Sequence, residues 1–168
     1  MDDSRWELSA STDERALLLG YLDFQREALV RNCAGVADAD LRRHPVPSSQ
    51  LTLLGLLRHL AAVERWYFQV VLADENPPEL YTETDDAEEE FVHLATATGP
   101  AALATWREQV AHSRRITTGL TLGDTVVHPV NGRTVSLRWV LLHLVDEYAR
   151  HNGHADLIRE AIDGVRGE

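Results

Sequence analysis

Glu147 and His151 stand four residues apart in the run Trp139-Val140-Leu141-Leu142-His143-Leu144-Val145-Asp146-Glu147-Tyr148-Ala149-Arg150-His151-Asn152-Gly153-His154. At about 100° per residue, Val140, Leu144, Ile158 and Ile162 gather within roughly a quarter turn of a helix. Glu147 and His151 fall inside that apolar arc, and His143 and His154 lie at its edge. A carboxylate facing a core costs several kcal/mol unless it is paired or bound to a cation. Side chains at i and i+4 project from successive turns of one face, so Glu147 and His151 can converge on one ion. His59 offers a third ligand. Its helical neighbours are Gly55, Leu56, Ala62, Val63 and Trp66, which turn it inward. Two histidines and a carboxylate from two facing helices suit a divalent metal and leave one coordination position open for water or substrate.

Simpler readings stand beside this one. A single inward histidine such as His59 is more often a hydrogen-bonded core residue than a ligand. Glu147 can instead pair with an arginine from the first or third helix, the commonest fate of a buried acid. His143 lies four residues before Glu147, so His143/Glu147 is a rival to Glu147/His151. One ion cannot take all three, because positions 143 and 151 are about 12 Å apart along the axis. His143 and His154 are candidates for supporting or proton-transfer roles. His44, His93, His112 and His128 read as surface or loop residues. Cys33 lies on an apolar stripe and reads as a small core residue, not a nucleophile. The sequence holds no His-Glu-x-x-His, nucleophile-elbow, dinucleotide or P-loop motif. It also lacks the paired Glu-x-x-His set of a di-iron centre.

Composition bounds the rest. The chain has 168 residues, 44% of them hydrophobic, which fits a single domain over 1–168 with one core. Its net charge of −11 argues against nucleic acid or anionic membranes as partners. Nine of the 27 acids lie between Asp74 and Glu90 with no base among them, and the other 18 nearly balance the 16 bases. That acidic window reads as a solvated connection. All 16 bases are arginine, which excludes Schiff-base and catalytic-lysine chemistry. One cysteine excludes an internal disulfide and fits a reducing compartment. No basic start precedes an apolar run, and no stretch reaches the roughly 20 apolar residues of a membrane span. The expected location is the cytoplasm.

Four helices must position these residues. After a loose leader over 1–10, Ser11-Thr12-Asp13-Glu14 reads as a capping box opening a helix to about Ala34, with Gly35 as terminator. A proline-interrupted stretch, His44 to Ser49, leads to a second helix from about Leu51 to Ala73. Leu56, His59, Ala62/Val63, Trp66 and Val70 form its inward face, and Arg58, Arg65 and Gln69 lie on another. Asn76-Pro77-Pro78 ends it, and the acidic segment follows as a loop with a helical turn near its end. The third helix starts near Pro100, suited to the first helical position, and runs to about Thr118. Thr125 to Val135, with Pro129 and Asn131-Gly132, reads as a short hairpin or extended loop. Ser136 caps a fourth helix reaching about Ile162, before Gly164. The expected fold is an all-α four-helix bundle with long connections, which often carry function.

At these residues the chain resembles the DinB superfamily of four-helix bundles, and within it the branch that includes mycothiol- and bacillithiol-dependent enzymes. The resemblance covers nearly the whole chain. It is carried by Leu53-Leu54-Gly55-Leu56-Leu57-Arg58-His59-Leu60-Ala61-Ala62-Val63-Glu64-Arg65, by Leu137 to His143, by Arg150 to Asp156, and by the Val46-Pro47-Ser48-Ser49 entry into the second helix. It implies a metal triad of His59, Glu147 and His151, and so favours Glu147/His151 over His143/Glu147. Many members have histidine where Glu147 stands. The His/Glu/His version is similar to the metal-binding domain of the mycothiol-dependent maleylpyruvate isomerases. The resemblance further implies zinc, less often nickel, an up-down-down-up bundle with a long crossover, and a homodimer.

The expected function is that of a metal-dependent enzyme using a low-molecular-weight thiol such as mycothiol. It would transfer sulfur to, or isomerise, a small electrophile. A non-catalytic metal-binding or interaction protein and a metal-dependent hydrolase are the alternatives.

Overall fold

Asp13 opens the first helix: its carboxylate accepts from the backbone N–H of Arg15, at 2.9 Å, and of Ala16, satisfying groups that have no partner inside the helix. The computed structural model describes residues 13–81, 90–91 and 94–167, so Ser11, the expected cap, lies outside the described residues. Glu14, the other half of the expected capping box, accepts from Arg138 at 2.6 Å. Helix α1 is Glu14–Cys33, and Gly35 follows it at φ +73°, a conformation in which glycine carries no steric cost.

A short helix α2, Asp38–Leu41, has no counterpart in the sequence expectations. Helix α3 spans Leu53–Glu64, capped by Thr52, and continues as a π-helix over Arg65–Leu72. A 3₁₀ turn at Leu94–Thr96 precedes α4, Gly99–Thr118. Thr98 caps α4, and Pro100 takes its second position, not its first. Strands β1 (Thr125–Val127) and β2 (Thr134–Ser136) form an antiparallel hairpin that pairs Val126 with Val135. Helix α5 spans Leu137–Asp163 between the Ser136 cap and Gly164, which is left-handed at φ +79°.

The fold is the expected mostly helical bundle. Helix α5 packs along α1, and α3 packs against α4 and α5. The interior is filled by Leu22 and Leu29 of α1, Leu53, Leu57, Leu60 and Ala61 of α3, Phe68 of the π segment, and Leu141, Leu144 and Tyr148 of α5, all essentially without solvent exposure. Arg159 ties α5 to the end of α1 by donating to the carbonyls of Asn32 and Ala34, each at 2.9 Å. These are C-terminal helix carbonyls that a cation satisfies well.

The buried faces agree only in part with those expected: Leu56 of the second helix and Val140, Leu144 and Ile158 of the last are buried, but the other expected inward residues are not. In the second helix the core stripe is Leu57, Leu60, Ala61, Glu64 and Phe68, with Arg58 and Gln69 also buried. His59, Ala62, Val63, Trp66 and Val70 are half-buried on its flank. The π segment is one cause: its wider turns shift every later residue relative to a 3.6-residue period. Gln69 donates to Gln109 of α4 at 2.7 Å, so a residue expected on the outside seals the inside. In α5 the buried stripe includes Val140, Leu144 and Ile158 and widens through Leu137, Leu141, Tyr148, Asn152 and Ala155, while Glu147, His151 and Ile162 lie beside it. His128, expected on the surface or in a loop, lies in the hairpin loop but is buried against the rings of Trp66 and Tyr67.

Cys33 packs on the core at the end of α1, and burial pushes its thiol up to about 12, against the opposing pull of Arg159. Its thiolate is therefore scarce at neutral pH. Alkylation of Cys33 by iodoacetamide, followed by mass spectrometry, is expected to run on the order of a hundredfold slower in the native protein than in denaturant.

Candidate metal centre

Three ligand atoms, one each from His59, Glu147 and His151, lie within 4.8 Å of one another. Helix α3 supplies the first and α5 the other two. The i,i+4 spacing puts His151 Nε2 at 3.4 Å from Glu147 Oε2, and the packing of α3 on α5 brings the His59 and His151 rings to 4.7 Å between centroids. Around a tetrahedral zinc, ligand atoms are about 3.3 Å apart, so small side-chain rotations close this set on an ion. The side chains are 22%, 18% and 13% exposed for His59, Glu147 and His151. The cluster therefore sits at the rim of the bundle. Glu147 is not the core-facing acid its arc suggested, and an incoming molecule can reach it.

The electrostatics suit a cation. Burial, with the neighbouring His59 imidazole, lowers His151 to about 4 against the raising effect of Glu147, so His151 is a neutral imidazole with a free lone pair at physiological pH. Its Nδ1 lies 3.4 Å from Nδ1 of His154, which places His154 behind His151, away from Glu147. His59 Nδ1 lies 2.9 Å from Oε1 of Glu90, the last acid of the window read as solvated. Hydrogen bonding to His59 holds the Glu90 carboxyl below its usual range, opposed by burial and helped by Arg58. Each histidine of the set thus has one nitrogen toward an outer partner and one left for a ligand.

On the other side of Glu147, His143 Nε2 lies 3.9 Å from Oε1. The His143 ring stacks on Trp139 with centroids 5.0 Å apart and planes 6° apart, and Tyr67 packs against it at 4.6 Å. Burial, then the Glu147 charge, raises the Tyr67 phenol. His143 is therefore a neighbour of the cluster, held in an aromatic wall. A cleft of about 320 Å³, lined by Ala62, Arg65, Trp66, Pro78, Tyr81 and Glu90, opens beside the outer partner of His59. A larger surface cleft near Asp23, Arg26 and Trp106 contains none of the candidate ligands. Of the other histidines, His44 is exposed, His112 lies 3.3 Å from Glu75, and His93 lies outside the described residues.

The arginine that α1 sends into the core meets Glu64, not Glu147. Arg26 Nε and one terminal nitrogen donate to the two oxygens of Glu64, both at 2.8 Å. Ser113 and Tyr148 also donate to Glu64, at 2.6 and 2.9 Å, and Trp106 donates to the Tyr148 hydroxyl at 2.8 Å. Burial opposes the Arg26 charge, yet Glu64 outweighs it and holds the guanidinium above its ordinary range. Glu64, Glu90, Tyr67 and Trp139 were not singled out from the sequence. A helix phased on Leu57, Leu60, Ala61 and Phe68 would have exposed Glu64 as a core acid. For Glu90 the signal is indirect: Gly55, inside a run of helix-forming leucines, marks a close approach of another segment.

No curated protein matches the chain. A solved structure described as the conserved protein of locus from Enterococcus faecalis superposes with a TM-score of 0.72 at 18% identity, over 92% of this chain and all of that one. That likeness speaks for the fold alone. Among the described residues no helix is long and apolar enough to cross a membrane. The mycothiol S-transferase family matches residues 17–164, a span that takes in the bundle, the aromatic wall and all three candidate ligands, and the chain belongs to that family.

Proposed function

We propose that this protein is a metal-dependent enzyme that transfers the sulfur of a low-molecular-weight thiol, mycothiol by its family, to a small electrophile. The observation that carries the reading is the convergence of His59, Glu147 and His151 at an accessible rim. Two imidazoles and one carboxylate are the borderline donor set that zinc favours, with nickel next. Three protein ligands leave a fourth position for an outside group. A divalent ion held there would bind the thiol sulfur and lower its pKa, supplying a thiolate at neutral pH.

The chain's own residues supply the rest. Glu90 and His154 hold the two histidines in orientation from behind. His143, beside Glu147 and stacked on Trp139, is placed to take the proton that the thiol gives up. The exposed Trp139 ring of this aromatic wall offers stacking to a planar, unsaturated electrophile. The cleft beside Glu90 has room for the non-reacting part of a small molecule. Sulfur then forms its new bond to an electrophilic carbon, which passes its electron pair to a leaving group or onto its own conjugated system.

The test is metal analysis of the purified chain after zinc supplementation, followed by thiol transfer assays with mycothiol and reactive electrophiles. One metal per chain is expected, with transfer that disappears when either metal or thiol is omitted. Protein that takes up no metal overturns the reading. Stoichiometric metal with no thiol-dependent turnover replaces the transferase by the structural-metal or hydrolase alternative.

A further inference from the structure

The last acid of the connecting segment touches a candidate ligand, and the residue after it explains how it is held there. Phe91 lies over Gly55, one helical turn before His59. A Cβ added to Gly55 would come 2.6 Å from Phe91 Cδ1, closer than real atoms approach, so only glycine lets the ring seat against α3. The same ring packs beside His59 with centroids 5.3 Å apart. Thus Glu90-Phe91 docks on one face of α3 through two contacts: an aromatic ring in the gap left by Gly55, and a carboxylate on His59 Nδ1 at 2.9 Å. Tyr81, within the same acidic segment, also meets this helix, where the Arg58 guanidinium lies 4.1 Å over its ring.

We propose that Glu90 is a positioning residue for His59: seated by Phe91 on Gly55, it fixes the imidazole with Nδ1–H toward its carboxylate and Nε2 left to ligate. A carboxylate ionised at neutral pH only accepts hydrogen bonds, so the proton between the two groups must sit on Nδ1. Nε2 then carries the lone pair. A histidine ligand backed by a carboxylate is more basic and better oriented than a bare one. At least one acid of the connection would then have a function beyond solubility, orienting a candidate ligand of the metal centre. The inference rests on the metal reading for its consequence, but the orientation of His59 is testable without any metal.

The experiment uses the full chain, Glu90→Ala, Glu90→Gln and Gly55→Ala, with folding checked by circular dichroism. Zinc affinity is measured by competition with a chromophoric chelator, and the His59 tautomer by ¹⁵N chemical shifts in the metal-free protein. In the wild type, Nδ1 is expected to be protonated. Glu90→Ala should lose that preference and bind zinc about 10- to 100-fold more weakly. Glu90→Gln, whose amide oxygen still accepts, should keep the tautomer and recover most of the affinity. Gly55→Ala should weaken zinc in the same direction while keeping every polar group. A Glu90→Ala protein with unchanged tautomer and affinity within twofold of wild type overturns the proposal. So does a Glu90→Gln protein that keeps the tautomer yet binds as weakly as Glu90→Ala, which would make Glu90 a direct ligand. If the wild type takes up no zinc, the tautomer comparison still decides the role of Glu90, and the metal reading falls on its own.

Discussion

Alanine in place of His151 or Glu147 is expected to leave the purified protein without stoichiometric metal. Loss of an outer partner costs roughly 10- to 100-fold in metal affinity. Loss of one of three direct ligands should exceed that and put retention through purification out of reach. His143→Ala is the informative contrast. By spacing alone, His143 and His151 are equivalent partners for Glu147. In the structure His151 Nε2 lies 3.4 Å from Glu147 and its ring faces His59, whereas His143 lies 3.9 Å away and is stacked on Trp139. His143→Ala protein should therefore keep one metal per chain. Elemental analysis reads the stoichiometry directly. Thermal unfolding gives a second readout, because an ion that binds only the folded state stabilises it in proportion to the logarithm of its concentration over Kd. Added zinc should raise the Tm of wild type and of His143→Ala, but not of His151→Ala or Glu147→Ala. Full metal in His151→Ala, or its loss in His143→Ala alone, would transfer the site to the other pair.

The largest effect on stability is expected at Glu64, which is remote in role from the metal. Its carboxylate is fully buried and accepts from Arg26, Ser113 and Tyr148. Removing one partner of a buried ion pair leaves the other charge desolvated, at a cost of about 3–5 kcal/mol. Against a typical total of about 5–15 kcal/mol, that is a large share. Asp23 keeps one bond to Arg26 at 2.9 Å, so Glu64→Ala belongs at the lower end. In urea the midpoint should fall by on the order of 1–3 M with little change in slope. Replacing both charges by apolar groups of similar volume, Arg26→Met with Glu64→Leu, should cost clearly less than the sum of the single changes, because neither charge is left stranded. Additive costs in that cycle would refute the coupling.

The four long helices, the hairpin and most of their ends were legible in the chain because local chemistry sets them. Ser136 before α5, Gly35 and Gly164 after helices, and Asn131-Gly132 in the turn satisfy or permit backbone that no distant contact needs to support. Faces were less legible than elements. Leu53 to Leu60 is apolar nearly all round, so its period does not select one face, and the π segment after Glu64 breaks the phase further on. The predicted inward direction of Glu147 erred by a fraction of a turn, enough to move it from core to rim. A rim position is also the one that an accessible metal would need.

The sequence by itself determined which residues are available: two histidines and a glutamate at helical spacing, an all-arginine set of cations, and the apolar periods that build a bundle. Spacing along one helix is local geometry, and so Glu147/His151 could be read directly, together with its rival. Only the tertiary structure decided which i±4 partner meets His59, because that depends on how α3 lies across α5. Only it assigned Arg26 to Glu64, across the packing of α1 on α3, and only it brought Glu90 onto His59 from 31 residues away in the chain. Nothing local in the acidic segment marks Glu90 as a residue that docks. Its seat comes from the ring of Phe91 and from the missing Cβ of Gly55, whose meeting is a fact of packing between distant segments.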